Sequence, residues 1–247
     1  MSIRNYLDKV RQEKGAGYFL LIDPDRLSMT DVVQLAKQAE NSGVDVILVG
    51  SSILINSGFD ALIKTLKDTV EIPIVIFPGS SMQISKYADA ILFLSLISGR
   101  NPNHLIGQQV TASPIIKHIG LETISTGYML IESGKYTSAE YMSNTRPIPH
   151  DKPDIARATA LAAQYLGMYC IYLEAGSGAQ NAVSTQMIKK VAGYIDIPII
   201  VGGGIRTPEQ ARDRIKAGAS FIVTGNFFES MQNKHFIREF AEAIHSV

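Results

Sequence analysis

The sequence contains a single cysteine, Cys170, among 247 residues. That excludes an internal disulfide framework and a multi-cysteine metal site. Cys170 falls within an apolar run, so it reads as a buried, inert thiol, and a reducing, cytoplasmic setting suits the chain. A surplus of charge is also absent. Lys+Arg and Asp+Glu both number 23, and the formal net charge is zero. No block of like charge stands out, so nucleic-acid binding is not expected. No uninterrupted apolar run reaches the ~18 residues that suggest a membrane span. Residues 1–15 mix charges and lack an apolar centre, so no signal peptide is expected. Against these absences, 46% of residues are hydrophobic and 19% charged, which excludes disorder. The length suffices for one large core. With no linker, repeat or low-complexity run, residues 1–247 read as a single domain.

Periodicity gives the order of elements. Apolar residues recur at helical spacing in 2–13, a short leading helix. Continuous apolar runs at 18–22, 44–49, 73–77, 90–95, 122–131, 168–173, 197–201 and 221–223 read as buried strands. Helical stretches at 28–41, 59–70, 102–118, 154–166, 184–194 and 208–216 lie between most of them, and a last helix spans 230–243. Ser28 or Thr30 is the predicted N-cap of the second helix, with Gly43 closing it. Strands alternating with helices imply a parallel sheet. Eight such units in a chain of this length predict a (β/α)8 TIM barrel, with an open doubly wound sheet as the alternative. The third unit is the irregular one. Only residues 79–89 separate strands three and four, so its helix is expected to be irregular or missing. Residues 132–152 form a polar excursion.

Chemistry concentrates where strands end. Tyr172-Leu173-Glu174-Ala175-Gly176-Ser177-Gly178 places one carboxylate at the end of an apolar strand, followed by small residues. Gly202-Gly203-Gly204 and Gly225-Asn226 repeat the design after strands seven and eight, the usual phosphate-binding loops of such barrels. Glycine lets main-chain N–H groups approach an anion closely. A phosphorylated substrate is therefore expected, with Glu174 beside its hydroxyl. Tyr172 shares a strand face with Glu174 by period-two alternation. Asp23 follows strand one and can hold Mg²⁺ through one oxygen, with Ser52 as a neighbouring donor, while Asp25 is expected to point away. Arg100, after strand four, is either a grip for a diphosphate or a solvated loop charge. Arg206 is a lesser candidate for the phosphate. None of the five histidines has metal-ligand spacing, and His104 and His118 are expected at the surface.

Tyr172 to Gly178, Gly202 to Arg206 and Gly225-Asn226, with Leu21-Ile22-Asp23-Pro24-Asp25 and Val49-Gly50-Ser51-Ser52, resemble the geranylgeranylglyceryl phosphate synthase family, which includes the bacterial PcrB proteins. The resemblance runs from about residue 18 to residue 229. It implies a Mg²⁺-dependent prenyltransferase that joins sn-glycerol 1-phosphate to a long prenyl diphosphate, making an ether-lipid precursor. By resemblance, the positions Tyr172 to Gly178, Gly202, Gly203, Gly225 and Asn226 bind the glycerol phosphate, and Asp23 and Ser52 bind Mg²⁺. Some members carry a lysine two residues before the metal Asp. Leu21 stands there, which removes one cationic contact and points to the larger, oligomeric subgroup, as a dimer or hexamer. Tyr128, Met129 and Tyr136 are candidates for the prenyl groove. A phosphosugar isomerase or a non-catalytic sensor of phosphate ligands would use the same glycine loops.

Overall fold

Alternation along each strand sorts its side chains into two packed layers. In the computed structural model, which describes residues 1–228 and 231–245 (main chain alone at 231 and 232), eight parallel strands close into a barrel in chain order. They are β1 (Gly17–Ile22), β2 (Val46–Val49), β3 (Ile74–Ile76), β4 (Ala90–Leu96), β5 (Glu122–Leu130), β6 (Cys170–Glu174), β7 (Ile199–Gly202) and β8 (Phe221–Thr224). The predicted TIM barrel is the fold. Phe19, Leu48, Leu92, Ile124, Tyr172 and Phe221 fill its interior. Their neighbours Tyr18, Leu20, Ile47, Ile91, Ile171 and Leu173 face outward into the layer beneath the helices.

Helix α1 (Ile3–Lys14) puts Leu7 against the interior residues, so it plugs the N-terminal end of the barrel. The Glu122 carboxylate accepts from Ile3 N (2.7 Å) and Arg4 N (3.0 Å). A negative charge there complements the positive end of the helix dipole. Helix α2 (Met29–Asn41) begins at Ser28, whose hydroxyl accepts from Asp31 N; Thr30 lies inside the helix. Helix α3 is Phe59–Lys67. Among the described residues, no helix separates β3 from β4, as the short spacing predicted. A π-helical turn, Asn103–Gly107, leads into α4 (Gln108–Ile119).

The excursion after β5 is more ordered than its polarity suggested. Ile131 and Ile148 form a parallel bridge, and α5 (Ser138–Ser143) is capped by Thr137 and ends at Asn144, whose φ is 48°. Helices α6 (Pro153–Tyr165), α7 (Thr185–Ala192), α8 (Pro208–Lys216) and α9 (Ile237–His245) complete the shell. Ser230, the predicted start of the last helix, lies outside the described residues. No described helix is long and apolar enough to cross a membrane.

Candidate active site

The strand ends meet in a cavity of about 400 Å³ at the C-terminal mouth of the barrel. Glu174 is the last residue of β6, one residue beyond the end the apolar run suggested, and shares a face with Tyr172. It is 5% exposed, and its Oε1 accepts from Gly176 N at 2.5 Å. Burial pushes its carboxyl up to about 7, against the lowering influence of the Gly176 N–H and the Tyr172 hydroxyl. Tyr172 faces the same cavity. Its hydroxyl is buried beside the Glu174 carboxylate without a hydrogen bond of good geometry; burial first, and then the nearby carboxylate, push its pKa well up. The ring stacks on Phe77 (5.1 Å between centroids) and meets Tyr128 edge-on (5.4 Å). A buried acid near neutrality and a buried phenol beside it thus share one wall.

The glycine loops converge beside them. Gly203 has φ 82°, and a Cβ there would overlap Glu174 Oε1, so only glycine lets this loop pass the acid. Asn226 Oδ1 accepts from Ser177 Oγ (2.7 Å) and Gly178 N (3.2 Å), tying the loop after β8 to the loop after β6. Ser177, Gly178, Gly203, Gly204, Gly225 and Asn226 line this end of the cavity. Leu21 lines it too, next to Gly225. Arg206 is on the lining, its guanidinium held by the carbonyls of Ala179 (2.6 Å) and Gln180 (3.3 Å).

Asp23 and Ser52 both line the cavity on the side of β1 and β2. The hydroxyl that bonds the Asp23 carboxylate is that of Ser51, 3.1 Å from Oδ2; Oδ1 accepts from Asp25 N at 3.0 Å. Arg26 Nε lies 3.8 Å from Asp23. Asp25 does turn away. It accepts from Ile55 N and from both nitrogens of Asn56, and so anchors the loop after β2.

The structure places several of these residues differently from the expectation. Arg100 is not on the cavity lining; its guanidinium folds back on the carbonyls of Gly99 (2.7 Å) and Ile97 (3.3 Å). Leu173 faces the helix layer, because strand parity opposes it to Tyr172 and Glu174. Ala175, Gly176 and Gly202 are buried beside the site and contribute main chain to its frame. Of the three groove candidates only Tyr128 lines the cavity. Met129 faces outward into the core, and Tyr136 is 77% exposed. His104, expected at the surface, is on the lining instead, and burial lowers its pKa.

The apolar part of the cavity lies mostly elsewhere than the three groove candidates. Ile84, Ile91, Phe93, Leu96, Ala112 and Ile116 line it. Ile91 belongs to the outward-facing layer of β4, which a third crossover helix would cover in a regular barrel. Here that helix is missing, and the space between β4 and α4 joins the mouth. The short spacing at 79–89 was the available signal.

Residues 8–244 match the PcrB family. The chain belongs to that family. It is therefore an enzyme, a transferase of lipid biosynthesis related to the geranylgeranylglyceryl phosphate synthases. The synthase of Chitinophaga pinensis is 48% identical over 237 residues, which cover 96% of this chain and 93% of that one. The synthase of Methanosphaera stadtmanae is 42% identical over 246 residues, covering 99% and 100%. Among solved structures, the (S)-3-O-geranylgeranylglyceryl phosphate synthase of Thermoplasma acidophilum, in complex with sn-glycerol-1-phosphate, superimposes with a TM-score of 0.94. It is 35% identical, with 100% of both chains covered. Thiamine phosphate pyrophosphorylase from Pyrococcus furiosus, at 13% identity and a TM-score of 0.61, shares only the barrel with this PcrB-family chain.

Proposed function

We propose that this chain joins sn-glycerol 1-phosphate to geranylgeranyl diphosphate, or a similar long prenyl diphosphate, with release of diphosphate. The observation that carries the reading is one cavity with three parts: a glycine cradle, the Glu174–Tyr172 pair, and an apolar arm between β4 and α4. The cradle suits a phosphate and the arm suits a hydrocarbon tail. The glycerol 3-hydroxyl attacks C1 of the prenyl chain. The C1–oxygen bond to diphosphate breaks as the new ether bond forms, and the hydroxyl proton passes to Glu174. A carboxyl whose pKa lies near 7 is suited to that transfer at neutral pH. The Tyr172 hydroxyl, buried beside Glu174, orients the same group. Holding the phosphate end turns an encounter into a positioned reaction.

Asp23 and Ser52 are the residues that would hold Mg²⁺. The donors on this wall are a carboxylate facing the cavity and hydroxyl oxygens, which fits a hard cation sharing its shell with a diphosphate. When bound, the ion would neutralise leaving-group charge.

Incubation with glycerol 1-phosphate, labelled prenyl diphosphates of several lengths and Mg²⁺, followed by lipid extraction, tests the reading. A butanol-soluble ether phosphate is expected, and no such product at any length overturns it. The isomerase alternative lacks an acid at the mouth end of strand five, since Glu122 opens that strand at the opposite end, bonded to α1. Glu132 pairs with His150 Nδ1 at 2.9 Å, away from the cavity lining. We further read the chain as a cytoplasmic homo-oligomer, dimer or hexamer. Tyr165 and Leu166, exposed side by side at the end of α6, support association, and light scattering on the purified chain tests it.

A further inference from the structure

Gln83 is a fully buried polar residue outside the cavity lining, on the segment that replaces the missing helix. Its amide joins two loops. Oε1 accepts from Ser51 N and Gly79 N, both at 3.2 Å, and Nε2 donates to Ser51 O at 2.7 Å. The opposite amide orientation would set the NH₂ against two N–H donors and the oxygen against a carbonyl, so the assignment is unique. The loops are pressed together at this point, since a Cβ on Gly79 would overlap Ser51 O. In a regular unit a helix start would organise the main chain here. Gln83 supplies three main-chain hydrogen bonds in its stead. Ser51, held at both N–H and C=O, is the residue whose hydroxyl bonds Asp23 Oδ2. Ser52, the other cavity-lining oxygen, follows directly.

We propose that Gln83 is a positioning residue for the diphosphate end of the site: through Ser51 it fixes the Asp23 carboxylate and the Ser51-Ser52 hydroxyls in one arrangement. Gln83 touches neither substrate. It sets how well the Asp23 wall receives a metal diphosphate, and it leaves the glycine cradle alone. This rests on reading Asp23 as the Mg²⁺ ligand.

The test is calorimetric binding of inorganic pyrophosphate with Mg²⁺ to the full chain, together with steady-state kinetics, on wild type, Gln83→Leu, Gln83→Glu, Ser51→Ala and Asp23→Asn. Gln83→Leu is expected to weaken Mg²⁺-pyrophosphate binding and raise KM for the prenyl diphosphate by about 10- to 100-fold, the range seen when supporting residues of metal ligands are lost. KM for glycerol 1-phosphate should stay within about twofold, since the cradle lies on other loops. Gln83→Glu keeps the acceptor for two N–H groups but faces Ser51 O with a carboxylate, so an intermediate loss is expected. Ser51→Ala cuts only the link to Asp23 and should reproduce much of the effect even if Gln83→Leu does not fold. Pyrophosphate binding lost in Asp23→Asn but kept in the Gln83 variants and in Ser51→Ala overturns the proposal. Binding unchanged in Asp23→Asn as well overturns the reading of Asp23 on which it rests. Equal rises in both KM values would make Gln83 a general stabiliser and also reject it.

Discussion

Glu174 is a buried carboxyl, and the proposed reaction needs it ionised; two predictions follow from that conflict. Glu174→Gln should lower kcat by roughly 10²- to 10⁴-fold while glycerol 1-phosphate still binds, checked by single-turnover kinetics and calorimetry. In the wild type, kcat/KM should rise with pH through about 7, where Glu174 ionises, and then level off. The stability consequence has the opposite sign. The pKa is raised from 4.5 to about 7, so the folded state binds this proton more tightly than the unfolded one. The contribution is fully present below about pH 4.5 and is lost as pH rises through 7, up to roughly 3 kcal/mol. Glu174→Gln should thus gain on the wild type between pH 5 and pH 8 in urea denaturation. A constant difference between the two proteins would contradict the burial argument. Glu174 and Tyr172 were legible in the sequence because strand parity alone puts them on one face. The two readings of Arg100 stayed open because a loop arginine finds carbonyls of its own chain as readily as a ligand, and spacing does not distinguish the two.

At the scale of elements, the missing third helix decides the second half of the site. Without it, the outer face of β4 and the inner face of α4 enclose an apolar space that opens into the mouth. Ala112 is small, buried and on the α4 wall of that space. Ala112→Phe should fill it, so that shorter prenyl diphosphates are accepted and the long one is rejected, read from product chain lengths. An unchanged length profile would place the tail elsewhere. The loop after β7 is constrained on the other side of the mouth. Gly203→Ala combines a positive φ with overlap on Glu174 Oε1, so a loss of activity larger than the loss of stability is expected. Parallel measurement of kcat and thermal unfolding checks it. The gap at 79–89 could be read from spacing. Its consequence could not, because what fills or vacates the space under a missing helix depends on the neighbouring helix.

At the scale of the molecule, the end opposite the mouth is tied by Asp45, which is 1% exposed. Its carboxylate accepts from Lys14 Nζ (2.5 Å), Tyr18 N (2.8 Å) and His245 Nε2 (2.9 Å), joining α1, β1 and α9. Burial alone would raise its pKa, but the hydrogen bonds from His245, Lys14 and Tyr18 outweigh burial and lower it. Its stabilisation is therefore present above the unfolded value near 3.8 and is lost as pH falls through the lower folded value. Asp45→Asn should cost about 3 kcal/mol at pH 7, with little change in kcat, measured by chemical denaturation and steady-state kinetics. The sequence by itself determined the order of eight apolar runs, the glycine loops after the last three, and the parity that turns Tyr172 and Glu174 inward, because these follow from local periodicity and backbone sterics. Only the tertiary structure decided that Ser51 faces Asp23, that Gln83 holds it, that His104 and the α4 wall join the cavity, and that Asp45 reaches His245. Each of these is a contact between segments far apart in the chain, fixed by barrel closure and packing rather than by any local preference.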